Sequence, residues 1–472
     1  MLQGLRVNLG LMGGVVLFAL LTSLAPTAAM VLGVGAALVG AALRWPDDVP
    51  KWGLYAIVAL VPLSVIGGRL PLPFFNSLPK VIFPVAFGAL LAGSALSHRR
   101  FVFGWQGLFG VLFLGVILLS HLMNVETEGS YQGVIRPLNM VLLLLLALNV
   151  LKTGRDVAIL LAIMVTASLL SALGGILMPI QWAAGYGPAG MERLSGWTYQ
   201  NDAPTFGLYL VLSTLVCLYF LLTDRRLSWR IALLPVSVLL IDAIMKTWAR
   251  GSIIVLAVTL LYLVFSVRKR ISGTVLVLGL IFIALVVVPL IPDKVYERFS
   301  VSAMQAGNEG SIRWRLESAR IGLELFERSP LIGRGPGNFP AEYMASEFRF
   351  NRLNRPGSVM GNTPLSILYQ TGVIGLSIFL LLIAVTWRDL WLVKRSYAVV
   401  SASRPAGDDQ EGDFPFQDKA AEILGILLVA LLLFSLISTL ENEKYLWIVL
   451  AAAGAMARIR RDKSRALALE SD

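Results

Sequence analysis

The side chains that could do chemistry in this sequence are mostly arginines. Its 472 residues include one cysteine, Cys217, and two histidines, His98 and His121. That supply rules out an intramolecular disulfide and a cysteine metal cluster and leaves little for a histidine metal site. Arg193 lies in Met191-Glu-Arg-Leu-Ser-Gly-Trp-Thr-Tyr-Gln-Asn-Asp202, and Arg250 in Lys246-Thr-Trp-Ala-Arg-Gly-Ser252. Arg315 belongs to a segment in which Ser311 can cap a helix that Pro330 stops. At 100° per residue, Ile312, Leu316, Ala319, Leu323 and Phe326 form that helix's apolar stripe. Arg313 and Arg320 meet Glu317 and Glu324 at i+4, whereas no carboxylate lies at helical spacing from Arg315. A cation beside the face to be buried calls for an anion from elsewhere in the fold or from a ligand. The plain alternative for any one of these arginines is interfacial anchoring. After the proline, Gly333, Gly335 and Gly337 surround Arg334. Alternate glycines let backbone amides approach an anion, although glycine-rich turns after helices are common for other reasons.

The elements that must position these residues are membrane spans. Hydrophobic residues make up 57% of the chain and charged residues 15%, and the apolar residues fall in blocks long enough to cross a bilayer. The pattern predicts an all-α, polytopic helical membrane protein of about fourteen transmembrane helices with one large outer loop containing a helix. Expected spans lie at 8–24, 27–44, 53–68, 78–96, 106–122, 133–151, 156–178, 204–223, 230–247, 251–267, 272–291, 363–387, 421–440 and 443–457. Arg6 before an apolar run also admits a signal peptide, but a second apolar block follows at once. Every second connection is basic, from Arg44/Lys51 to the tail Arg458–Arg465, and Arg6 precedes the first span, so both termini are expected in the cytoplasm. The segments holding Arg193, Arg250 and Arg315 then fall on the opposite side. The expected organisation is an N-terminal bundle over 1–190, a central region 191–387 containing outer loop 292–362, a cytoplasmic linker 388–420, and two final spans with a basic tail over 421–472. The net charge of +11 reflects this sidedness and points to no nucleic acid. Cytoplasmic connections are too short for a nucleotide-binding domain. A transporter reading lacks the mid-membrane ionisable residues such paths carry, apart from Arg136 and Asp242 near span ends.

In order and spacing, these segments resemble the O-antigen ligase and polymerase family of membrane glycosyltransferases. The resemblance rests on Gly196 and Asn201 after Arg193, Trp-Ala-Arg250-Gly-Ser at a span start, and Arg315 ahead of Ser-Pro330-Leu-Ile-Gly-Arg-Gly-Pro-Gly-Asn-Phe. It continues in Asn362-x-x-Leu-x-x-Leu-x-Gln-x-Gly372. It implies transfer of a glycan from undecaprenyl diphosphate to an acceptor sugar at the periplasmic face of the bacterial inner membrane. The acceptor would be another lipid-linked repeat in a polymerase, lipid A-core in a ligase, or a protein in some relatives. Arg250, Arg315 and Arg193 would bind the diphosphate, with no cofactor. Partners would be membrane lipid and other polysaccharide assembly proteins.

Transfer from a diphosphate needs stabilisation of the departing charge and removal of a proton from the attacking hydroxyl. Arginines suit the first task and can stand in for a divalent metal. For the second, the family usually has a histidine before the asparagine of the last motif, but Gly361 stands there, and Gln370 replaces the usual glutamate. His121, Asp202 and Asn362 are the candidate catalytic residues, with Glu342 and Glu347 as further acids. The missing histidine favours a polymerase of surface or exopolysaccharide repeats over a lipid A-core ligase. It also admits a non-catalytic relative.

Overall fold

The computed structural model describes residues 48–64, 78–96, 101–124, 129–177, 193–198, 202–224, 226–268, 310–347, 360–402 and 414–470, with single residues 40, 45 and 300. These residues form thirteen helices and no strand. They are α1 (Asp48–Ala59), α2 (Leu78–Leu96), α3 (Gly104–Met123), α4 (Gly129–Val150), α5 (Gly154–Leu177), α6 (Ala203–Thr223) and α7 (Leu227–Lys246). After them come α8 (Arg250–Val267), α9 (Gly310–Glu327), α10 (Phe339–Ala345), α11 (Thr363–Ala402), α12 (Phe414–Ser435) and α13 (Lys444–Glu470). Eight are long and apolar enough to cross a membrane.

That count differs from the fourteen expected: α12 and α13, at the expected spans 421–440 and 443–457, are not among the eight. The spans at 8–24 and 272–291 lie outside the described residues, as does all but Gly40 of 27–44. The described part of 53–68 holds only the end of the twelve-residue α1 and a turn. At the expected linker, α11 stays helical to Ala402 and α12 begins at Phe414.

The chain divides into two compact units, residues 1–57 with 67–101 and residues 58–66 with 102–472. In the first, α1 and α2 meet closely: a Cβ on Gly53 would stand 2.4 Å from that of Ala86. The second holds the remaining helices around α6. From Phe206 to Tyr219 every residue of α6 is buried, as expected of a helix that is apolar on all sides. It packs against α5, α7, α8 and α12, while α3 pairs with α11 and α4 with α13.

α11 is interrupted at Gly372, where φ is 66° and ψ is −167°. A break leaves carbonyls and amides without helical partners, which is costly away from water. The segment after α9 supplies them. Arg334 N donates to Tyr369 O (2.8 Å) and Gly335 N to Gln370 O (3.2 Å). In return Val373 N donates to Pro330 O (2.9 Å) and Ile374 N to Leu331 O (3.4 Å). The Ser120 hydroxyl adds a 2.7 Å bond to Gln370 O. Only glycine fits at 372, because a Cβ there would meet Leu331 O at 2.2 Å.

Gly372→Ala is therefore expected to destabilise the purified protein by at least about 1–3 kcal/mol in thermal unfolding, through the left-handed backbone alone. Gly425→Ala, inside α12 with nothing within 4 Å of the added carbon, should leave the unfolding midpoint unchanged or slightly raised.

Candidate functional site

One end of the second unit gathers five segments that are far apart in sequence. The joint between α7 and α8 turns in three residues, with Trp248 at φ 50°, the only positive φ outside glycine among the described residues. This turn aims two carbonyls at Arg193, whose Nε donates to Thr247 O (3.1 Å) and whose NH2 donates to Trp248 O (3.2 Å). Leu194 N also donates to Lys246 O. Arg193 thus clamps the joint from which Arg250 begins α8. Beside it, Ser252 Oγ donates to Pro204 O (3.1 Å), fixing the start of α8 against the start of α6. Asp202 precedes α6 and accepts a hydrogen bond from the Thr205 hydroxyl.

The turn between α12 and α13, residues 436–443, touches this group and the next. A Cβ on Gly251 would meet Ile437 Cδ1 at 2.4 Å. Asn362 Nδ2 donates to Leu436 O (2.9 Å), and the Thr363 hydroxyl donates to Ser438 O (2.7 Å). Asn362 Oδ1 also accepts from Leu365 N (3.0 Å), the geometry of a helix N-cap. Both ends of the Asn362 amide are therefore engaged in positioning α11 and the turn. Immediately before it, Gly361 lies against the stem of Arg315, whose Cγ would be 2.9 Å from an added Cβ, with the Trp314 ring equally close. The side-chain space at the position where a histidine was expected is filled by Trp314 and Arg315.

α9 buries a different face from the apolar stripe expected of it. Ile321 and Leu325 join Phe339, Tyr343, Met360 and Tyr369 in one core cluster with Trp314 packed against it, while Leu316 and Leu323 are exposed. The wheel located an apolar stripe, but contacts with Met360 and α10 select the adjoining face. Arg313 meets Glu317 at 3.9 Å as its spacing predicts, and Glu324 pairs with Arg328.

The glycine-rich loop has a structural task that displaces the expected anion cradle. The amides of Gly333, Arg334 and Gly335 all donate to backbone carbonyls. The Arg334 guanidinium is held by Glu342, with Nε to Oε1 at 2.9 Å, and Glu342 also accepts from the Tyr369 hydroxyl. Gly337 follows in the same turn, which Asn338 secures by donating to Asn124 O and Arg334 O. His121 lies in the last turn of α3, next to Ser120 and three residues before Asn124, whose amide donates to Gly333 O (3.2 Å). His121 is thus placed with the glycine loop, whereas Asp202, Arg193 and Arg250 lie on segments tied together where α8 begins, by Arg193 to Thr247 O and Trp248 O and by Ser252 to Pro204 O. Glu347, just beyond α10, is exposed.

The turn 436–443 brings acids that the sequence reading passed over. Glu441 is buried, and its Oε1 accepts from Ser366 Oγ (2.7 Å) and Gln370 Nε2 (3.3 Å). A carboxyl group therefore stands beside Gln370, contributed by another segment. Glu441 Oε2 is buried with no hydrogen-bond partner among the described residues. Burial pushes this carboxyl above the usual range, against the lowering effect of the Ser366 and Gln370 bonds. Glu443 is half-buried, and its Oε2 accepts from the Tyr209 hydroxyl at 2.7 Å. Its carboxyl is also raised, by burial first, with Asp202 adding to the rise and Lys444 and Tyr209 opposing it. Four polar residues in a row between apolar blocks, Glu441-Asn-Glu-Lys444, were the available signal, hidden because so short a connection reads as a simple turn.

The apolar helices make this a multi-pass membrane protein with a polar, arginine-bearing site at one end. Residues 235–380, from within α7 to within α11, match the family model described as O-antigen ligase. Over that stretch the match supports the resemblance to the O-antigen ligase/polymerase family. No curated protein matches the chain.

A carboxyl whose folded-state pKa is raised contributes stability at low pH that is lost as pH rises through that pKa. Glu441→Gln should therefore flatten the fall in thermal midpoint between mildly acidic and mildly alkaline buffer. An unchanged pH dependence would show that Glu441 does not carry it.

Proposed function

We propose that the protein is a membrane glycosyltransferase. It moves a glycan from a polyprenyl diphosphate to an acceptor sugar at the outer face of the bacterial inner membrane, and the reading favours a polymerase of surface polysaccharide or exopolysaccharide repeats. The observation that carries this is the placement of Arg250 and Arg315, 65 residues apart in sequence by their numbering, on segments that pack against the two sides of one contiguous patch. Gly251 meets Ile437, Asn362 binds the carbonyl of Leu436, and Gly361 lies on Arg315. Arg193 sets the joint that starts α8.

In this reading Arg250 and Arg315 neutralise the diphosphate as it departs. Guanidinium groups are suited to that work because they stay charged and meet phosphate oxygens two at a time. Their charge takes the place a divalent metal has elsewhere. The carrier's isoprenoid tail would lie in lipid, and the exposed stripe of Leu316 and Leu323 on α9 suits that apolar setting. The close packing of Arg315 and Trp314 on Gly361 favours the polymerase reading over a ligase that relies on a histidine there.

Incubation of the purified protein with a lipid-diphosphate oligosaccharide tests the reading. Longer glycans on lipid are expected; glycan on lipid A would indicate a ligase instead. Arg250→Ala and Arg315→Ala should each reduce transfer about a hundredfold or more, the scale set by losing one charge-stabilising group. Transfer unchanged in both would remove the assigned role. Gly361→His should lower transfer, because the imidazole displaces Arg315; a gain would overturn the packing argument.

A further inference from the structure

The family-type base position is glycine here, and the acids that sequence nominates are engaged elsewhere or exposed. Glu342 is held by Arg334 and Tyr369, and Glu347 is exposed beyond α10. Glu441 is buried, so an acceptor sugar cannot reach its carboxyl without displacing Ser366 or Gln370. Glu443, two residues on, is half-buried, and its carboxyl has a single hydrogen bond among the described residues, from Tyr209.

We propose that Glu443, oriented by the Tyr209 hydroxyl, is the catalytic residue that takes the proton from the attacking hydroxyl; this rests on the transferase reading above. The carboxylate has one oxygen fixed, Oε2, at 2.7 Å from the Tyr209 hydroxyl. No described residue hydrogen-bonds its other oxygen, and the side chain is half-buried rather than closed off. Tyr209 is itself held edge-on by Tyr445, ring centroids 5.1 Å apart. A base fixed by a third group is the arrangement that activates an otherwise weak nucleophile. Glu443 also belongs to the same wall as the phosphate-binding arginines, because its turn carries Ile437 against Gly251, next to Arg250. Glu441 Oε2 and Asn442 Oδ1 beside it are buried with no hydrogen-bond partner among the described residues, so the turn offers more polar capacity than the fold itself uses.

In the step, the acceptor oxygen forms a bond to the anomeric carbon as the bond from that carbon to the diphosphate oxygen breaks. The departing diphosphate keeps the electron pair and the hydroxyl proton moves to Glu443, which releases it to solvent before the next turnover. The groups facing this carboxyl tune its affinity for the proton. Asp202, just before α6, raises it and Tyr209 of α6 lowers it; from α13, Lys444 lowers it; Glu441 is the other acid of the turn.

These opposing neighbours give a test that loss of structure cannot imitate. With full-length protein and a lipid-diphosphate oligosaccharide, Glu443→Gln should cut turnover at least about a hundredfold while binding of the lipid diphosphate stays within about twofold. Tyr209→Phe removes a hydrogen bond to the charged form and should move the acidic limb of the rate profile to higher pH. Asp202→Asn removes a like charge and should move it to lower pH. Near-normal turnover in Glu443→Gln, or rates in the other two variants that fall equally at every pH, would overturn the assignment while leaving the transferase reading intact. Absence of both lipid-diphosphate binding and transfer in the unaltered protein would remove both.

Discussion

The break in α11 is the constraint from which the rest of the site follows. In a helix surrounded by apolar groups, each peptide freed from the helical pattern must find a new partner. Here the carbonyls of Tyr369 and Gln370 and the amides of Val373 and Ile374 are all satisfied by the chain between Pro330 and Gly335. This exchange fixes the end of α9 to the middle of α11. It leaves residues 363–371 as a short helix whose entrance can take its own direction. Asn362 and Thr363 at that entrance then seize the carbonyls of Leu436 and Ser438, so the turn before α13 is set by α11 as well as by the helices it joins.

Charge is distributed in keeping with that frame. Arg334, Glu342 and Tyr369 form a neutral knot that stabilises the clamp. At another level of the bundle, Glu422 receives Lys394, Tyr219 and Ser266. Four helices, α6, α8, α11 and α12, are thereby tied through one buried carboxylate, an arrangement that is costly to break once a partner is removed. With those segments held, the 436–443 turn presents polar groups whose demands the described residues do not fully meet, Glu441 Oε2 and Asn442 Oδ1. Such unmet demand is tolerated where a ligand can answer it, and it separates this turn from the closed knots.

Several features were readable without coordinates because they depend on short-range rules. The apolar blocks announce spans, and Pro330 stops α9. The order of the arginine segments was enough to indicate the family that the match over residues 235–380 supports. Other features were not readable. The wheel put Leu316 and Leu323 on the inner face of α9, yet Ile321 and Leu325 are buried, since a helix with two adjacent apolar strips is oriented by whatever packs on it. The glycine-rich loop could equally cradle an anion or a backbone. Only the position of the α11 break decides in favour of the backbone.

The sequence by itself determined the class of molecule, the boundaries of most of the described helices within a few residues and the residue types available for handling an anion, because hydropathy, proline and charge act locally along the chain. Tertiary structure alone decided which polar groups share a neighbourhood. Glu443 meets Tyr209 across 234 positions, and Asn362 reaches Leu436 across 74. Such pairings arise from the packing of whole helices, to which no local spacing in the chain corresponds.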